Sequence, residues 1–207
     1  MINPTAQSFA THIGTAINTT INMPVDTPWG RADHSEIRGE GIAFHATPSH
    51  GGFHLDPLRN AKVHEGWRNK DAWYEEDVEW AKIAFAFPEL FSSEECESAD
   101  QLLRDYHPDA YEAVTGIKLR LGQSYKRETE AFAYDHRSDW LMIAAISSRQ
   151  HPGFVECIAT IGGERQSGTQ RRYLVSEADY ATRVHAFVVD PQRHQVFTGP
   201  SSFVGWR

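Results

Sequence analysis

The chain has 207 residues, 40% of them hydrophobic, 12% aromatic and 23% charged, which is enough apolar material for a sizeable core. Twenty basic residues against 28 acidic ones give a formal net charge of −8, so a bulk basic footprint for nucleic acid is missing. These figures exclude collagen, coiled-coil, porin and zinc-ribbon classes. At roughly 100–200 residues per domain, the length sets an expectation of one domain, with or without a small appendage.

The first 28 residues are rich in Thr, Asn and Ala and close on Pro24, Thr27 and Pro28. Ile13, Ile17 and Ile21 recur at helical spacing, a thin apolar stripe weakened by β-branched neighbours. Residues 1–28 are read as an arm, partly ordered or docked on a partner. They lack a positive start and a continuous apolar stretch, so no signal peptide is expected. No run approaches the ~18 apolar residues of a membrane span. The two cysteines, Cys96 and Cys157, form no CxxC or CxxH spacing. A cytoplasmic protein with reduced thiols is expected, with Cys157 a small buried hydrophobe.

From Trp29 the chain reads as an antiparallel β meander reaching about residue 56. Gly39 and Gly41 bracket a turn, Ile42, Phe44 and Ala46 alternate with Ala43, His45 and Thr47, and Gly51-Gly52 signals a further turn. After a polar connector, the spacing of Trp73, Asp77, Trp80, Ala81 and Ala84 predicts a helix with Asp71 as N-cap, ended by Pro88. Glu75, Glu76, Asp77 and Glu79 crowd its first half, where acids suit the macrodipole. Two short helices follow: one starts near Ser93 as Ser-x-x-Cys without a full capping box, the other runs from Pro108 to Gly116. Residues 123–135 predict a further helix.

The last third turns to β structure. DWLMIAAISS and GFVECIATIGG are apolar runs separated by His-Pro-Gly, a hairpin signal. RRYLV is a third strand, Ser176 to Asp179 starts a short helix, and VHAFVVD is a fourth strand closed by Pro191. Gly162-Gly163 is a turn, lacking the other glycines of a dinucleotide fingerprint. The expected fold class is α+β: an N-terminal antiparallel meander, central helices and a C-terminal antiparallel sheet with one short inserted helix. Residues 29–207 are taken as a single domain, with a His- and acid-rich part at 29–91 and a helical and sheet part at 92–207.

The densest polar constellation is TPSHGGFHLD followed by WYEED; five of the 11 histidines lie between His34 and His64. His50 titrates near neutrality, and a carboxylate on the expected helix could orient it, making His50 with Glu76 or Asp77 a candidate catalytic group. Two histidines and a carboxylate also suit zinc or ferrous iron, but the spacing of His50 and His54 matches no established metal motif, so no metal ligand and no cofactor is assigned. The structural alternative is that His50 and the WYEED helix form a hydrogen-bond hub fastening the meander to the helices. Trp29, Asp33, His54, Trp73 and Glu75 are candidate binding residues, Trp29 and Trp73 as pocket walls or core packers. Lys118, Arg120, Lys126 and Arg127, then Arg165, Arg171 and Arg172, are basic strips that could meet an anionic surface, or scattered surface charge.

The pieces TPWGRADH, TPSHGGFHL, WYEEDVEWA, ATIGG, SEADY and VVDPQRHQ, spread over about residues 27–195, resemble an uncharacterised domain-of-unknown-function family of accessory proteins from proteobacterial plasmids and phages. The resemblance implies a mobile-element origin and supplies no fold, substrate or catalytic residue. With small size, acidic charge and no recognised catalytic motif, it points to an accessory protein that binds and interferes with a host defence complex, of anti-CRISPR or antirestriction type. The alternatives are a small hydrolase or metal-dependent enzyme centred on His50, His54 and Glu76, and a DNA-maintenance protein, which net charge does not favour. Whether it is an enzyme, and whether it is a homodimer, the residues leave open.

Overall fold

The computed structural model describes residues 19–20, 24–166 and 169–203. The expected Ile13–Ile17–Ile21 stripe and the docking of the arm lie outside them. The chain divides into two compact units, Met1–Lys126 and Arg127–Arg207. The sequence reading placed its internal boundary at residue 91. The architecture is α+β, with antiparallel sheets in both units.

In the first unit, β1 (Thr19–Thr20), β4 (His34–Gly39), β5 (Ile42–Ala46), β6 (Gly51–Leu55) and β7 (Trp73–Glu75) form a sheet in the order β1-β4-β5-β6-β7. β2 (Asp26–Thr27) and β3 (Gly30–Arg31) form a separate two-stranded hairpin with Pro28-Trp29 at its tip. The turn at Gly41 has φ 72°, a left-handed conformation that glycine adopts without a Cβ clash.

Two expectations fail here. The turn before β6 is Thr47–His50, not Gly51-Gly52. Thr47 Oγ1 accepts the N–H groups of Ser49 and His50, while both glycines pair in β6 with Ala46 and His45. The glycines are needed for space. A Cβ on Gly52 would strike the indole of Trp29, and one on Gly51 would strike the Glu76 carboxylate and the Phe44 ring.

The helix expected from Asp71 is also corrected. Ala72 has φ 61°, which breaks any helix beginning there, and Trp73-Tyr74-Glu75 pair with β6 instead. Strand pairing buries Tyr74 completely, an outcome aromatics favour over helical exposure. Only the second half is helical, as α2 (Trp80–Ala86) followed by a single 3-10 turn, Pro88–Leu90.

α1 (Pro57–Asn60) is one turn after β6, capped by Asp56. α3 (Ser93–Tyr106) starts on a full capping box. Ser92 accepts the N–H of Glu95, and the Glu95 side chain accepts that of Ser92, so the partial Ser93 start is superseded. α4 (Pro108–Thr115) ends at Gly116, φ 74°, as expected. One sheet face packs on these helices through Phe53, Leu55, Tyr74, Trp80, Ile83 and Leu103.

α5 (Tyr125–Asp135) carries the division between the units. The second unit's sheet runs β10-β9-β8-β11, from β8 (Trp140–Ser147), β9 (Phe154–Ile161), β10 (Arg171–Ser176) and β11 (Val188–Val189). α6 (Glu177–Ala181) begins on Ser176, which accepts the N–H of Asp179. The fourth strand is two residues long rather than the seven of VHAFVVD. Cys157 is buried with Val155, Tyr173 and Val175, and burial pushes its thiol up to about 12. The other face of β9 buries Glu156 against Arg172, with Ser148 and Ser202 donating to the carboxylate. Among the described residues no helix is long and apolar enough to cross a membrane.

Candidate functional site

Strand periodicity builds the site. Side chains two apart share a face, and register aligns Ser35, His45, Gly52 and Glu75 in one row across β4 to β7, with Ala43, His54 and Trp73 in the next. This is the face away from the helices. Ser35 Oγ lies 2.8 Å from His45 Nδ1. The Trp73 indole stands 5.3 Å from the His45 ring and 4.5 Å from that of His54, and the histidines are 6.5 Å apart. Burial, then the neighbouring His54, lowers the pKa of His45. Burial also lowers that of His54, against the pull of Asp56 and Asp71. These imidazoles are held neutral, as packing surfaces behind Trp73.

Trp29 reaches the same face from the tip of the β2–β3 hairpin. It lies over Gly52 and meets Trp73 edge to face, centroids 5.7 Å apart and planes at 88°. Such pairing suits the ring quadrupoles and is worth about 0.5–1.5 kcal/mol beyond area burial. The indoles wall an open cleft of about 520 Å³ whose rim also carries Asn69, Lys70, Asp71 and Glu75.

A partly buried polar network runs from the cleft, where Asn69 and Glu79 line it, into the core at Tyr74 and Asn60. Tyr74 Oη donates to Asn60 Oδ1 at 2.6 Å and accepts the Asn69 N–H at 3.1 Å. Asn60 Nδ2 donates to the Asn69 carbonyl, and Asn69 Nδ2 to the Trp73 carbonyl and to Glu79. Lys82 donates to the same Glu79 carboxylate. Burial raises the Glu79 pKa, but the bonds from Lys82 and Asn69 outweigh it and hold it below the ordinary carboxylate value. Arg68 donates to the carbonyls of Ala61 and Val63. The 61–72 connector is thereby tied to β7 and α2.

Trp29, Trp73 and Glu75 therefore meet at one cleft, with His54 stacked behind. His50, exposed in the 47–50 turn, has its Nδ1 4.0 Å from Glu75 Oε1, beyond hydrogen-bond reach. Glu76 lies over Gly51 on the other side of the sheet, and exposed Asp77 donates its backbone N–H to Glu75 Oε2. On a helix these acids would have shared a rim; on a strand and turn they part. Asp33 is exposed before β4 and does not line the cleft. The hydrogen-bond hub exists, but Asn60, Asn69, Tyr74, Glu79 and Lys82 make it rather than His50. Tyr74 belongs to the WYEED piece assigned to the hub and Glu79 to the acids beside it; sequence reasoning missed Asn60, Asn69 and Lys82, which come from a loop and helices at no regular spacing from β7. The period-two relation from Glu75 back to Trp73 was the available signal for the cleft.

Among the described residues no group of three His, Cys, Asp or Glu side chains is placed to hold a metal ion. The basic strips are partly spent: Lys118 pairs with Glu112, and Arg172 is buried.

No curated protein and no solved structure matches the chain. Residues 22–137 do match a family model described as a domain of unknown function, DUF7007. The match takes in the whole cleft and stops near the end of α5, so the resemblance read from residues 138–195 lies beyond it. The chain belongs to the DUF7007 family.

Proposed function

We propose that the chain acts by binding rather than by turnover, as a cytoplasmic accessory protein of a mobile element that interferes with a host defence complex of the anti-CRISPR or antirestriction kind. The observation that carries the binding reading is the cleft itself. Its walls are two half-buried tryptophans in an edge-to-face pair, backed by neutral histidines and pinned from below by a satisfied polar network. Rigid aromatics at an exposed concave face are what partner recognition uses. The sequence resemblance and the acidic charge support the class of partner.

The test expresses the chain in bacteria with active restriction or CRISPR immunity and counts phage plaques, with wild type and Trp73→Ala in parallel. Restored plaques with wild type and their loss with Trp73→Ala are expected. Unchanged immunity with both sinks the reading.

A second reading, a small hydrolase, draws on one observation, the approach of His50 to Glu75. Burial, then the carboxylates of Asp77 and Glu76, raises the Glu75 pKa, as a general acid requires. A plaque effect that disappears in His50→Ala, while the fold survives, would favour it.

A further inference from the structure

We propose that the cleft between Trp29 and Trp73 receives a cationic side chain, the guanidinium or ammonium group of an arginine or lysine on a protein partner, with Glu75 as its counter-charge. This rests on the binding reading and gives the partner's contact residue a chemistry. Two features meet in the cleft. The first is aromatic: each indole is only half buried, and tryptophan faces attract cations more strongly than those of Tyr or Phe.

The second is charge. Glu75 Oε2 accepts the N–H of Asp77, while among the described residues Oε1 is approached by His50 at 4.0 Å. Asp71 stands on the same rim. Arg68, which also lines the cleft, is held by hydrogen bonds from its guanidinium to the carbonyls of Ala61 and Val63, and the Lys82 ammonium is paired with Glu79. Lys70 lines the cleft too, as an exposed ammonium. The Glu75 carboxyl is pushed up by burial and by its acidic neighbours, and an incoming cation would offset both effects. An open cleft of about 520 Å³ admits a side chain carried on a partner's surface and leaves its backbone outside.

The test uses the full chain and follows the indole N–H resonances of Trp29 and Trp73 by NMR. The probe is the peptide Gly-Ser-Gly-Arg-Gly-Ser, its lysine version, and a version with citrulline, the neutral shape-match of arginine. Saturable shifts of both resonances with the arginine and lysine peptides, and none with citrulline, are expected. Binding should weaken from about 0.1 M to about 0.5 M salt. Glu75→Gln, a near-isosteric change, should raise Kd roughly threefold or more, and Trp73→Ala roughly three- to fivefold. Should Trp73→Ala disturb the sheet, Trp73→Phe replaces it, with a smaller loss expected. Equal binding of the citrulline peptide, no binding of any peptide, or an affinity unmoved by Glu75→Gln overturns the proposal. If the plaque effect still depends on Trp73 when the arginine peptide fails, the binding reading stands and the cation assignment falls. If Trp73→Ala leaves the plaque effect intact, the binding reading itself falls.

Discussion

Gly52 decides where Trp29 rests, and a single methyl group there tests the placement. A Cβ would meet the Trp29 ring and the carbonyl of Tyr74 at 2.6 Å, and the carbonyl cannot retreat without breaking the β6–β7 pairing. Gly52→Ala should cost about 1–3 kcal/mol in urea unfolding and shift the tryptophan fluorescence as the hairpin tip is displaced; an unchanged midpoint and spectrum would show that Trp29 does not lie there. Tyr74 is the counterpart below the sheet. Tyr74→Phe leaves Asn60 Oδ1 and the Asn69 N–H without their partner, at about 1–3 kcal/mol. A loss below about 0.5 kcal/mol would mean that water or a rearranged Asn69 takes over. Trp29, Asp33, His54, Trp73 and Glu75 were legible as candidates because aromatics and acids clustered around glycines stand out locally; the fold brings Trp29, Trp73 and Glu75 to one cleft, sets His54 against Trp73 and leaves Asp33 outside. The sequence did not reveal Asn60, Asn69 and Lys82, because their hydrogen bonds join a loop, a strand and helices at irregular separations that leave no periodic trace.

At the level of elements, the hardest segment was Asp71–Glu79. Its spacing fits a helix as well as a strand, and the deciding facts lie elsewhere: the left-handed Ala72 and the free edge of β6. The strands of the meander and the C-terminal hairpin were legible because alternation and Pro-Gly punctuation are local. The last strand was overestimated because Val184 to Val189 is apolar apart from His185, whether or not it finds a partner. Cap chemistry was legible but misread by one residue: Ser92, not Ser93, opens α3. Ser92→Ala should lower stability by about 1 kcal/mol. Glu95→Gln, which keeps the reciprocal bond, should cost less, and a larger loss for Glu95→Gln would point to a role for its charge beyond the cap.

Across the whole molecule, acidity and burial fix the response to pH. His45, His54 and His107 all have folded-state pKa values below the ordinary 6.5, burial being the largest cause for each. The unfolded chain therefore binds protons before the folded one, and stability falls as pH drops from about 6.5 towards the lowered folded values. Glu79 and Glu156, held below 4.5 in the fold, add a second loss as pH falls further. Hydrogen exchange of β5 and β6 amides, read at pH 7.5 and 5.5 and corrected for intrinsic rates, should show protection falling at the lower pH. His54→Phe should flatten the change, and equal protection at both values would contradict the neutral, buried state of these rings.

The claim that the DUF7007 cleft binds rather than turns over is tested most directly by stoichiometry. Once the plaque assay identifies the immunity system, its purified nuclease or surveillance complex is titrated with the full chain and its cleavage activity followed. Inhibition should saturate near one chain per binding site on the complex, vanish with Trp73→Ala and persist with His50→Ala. Complete inhibition at a small fraction of that ratio, abolished by His50→Ala and retained by Trp73→Ala, would contradict the binding reading and establish the enzyme in its place.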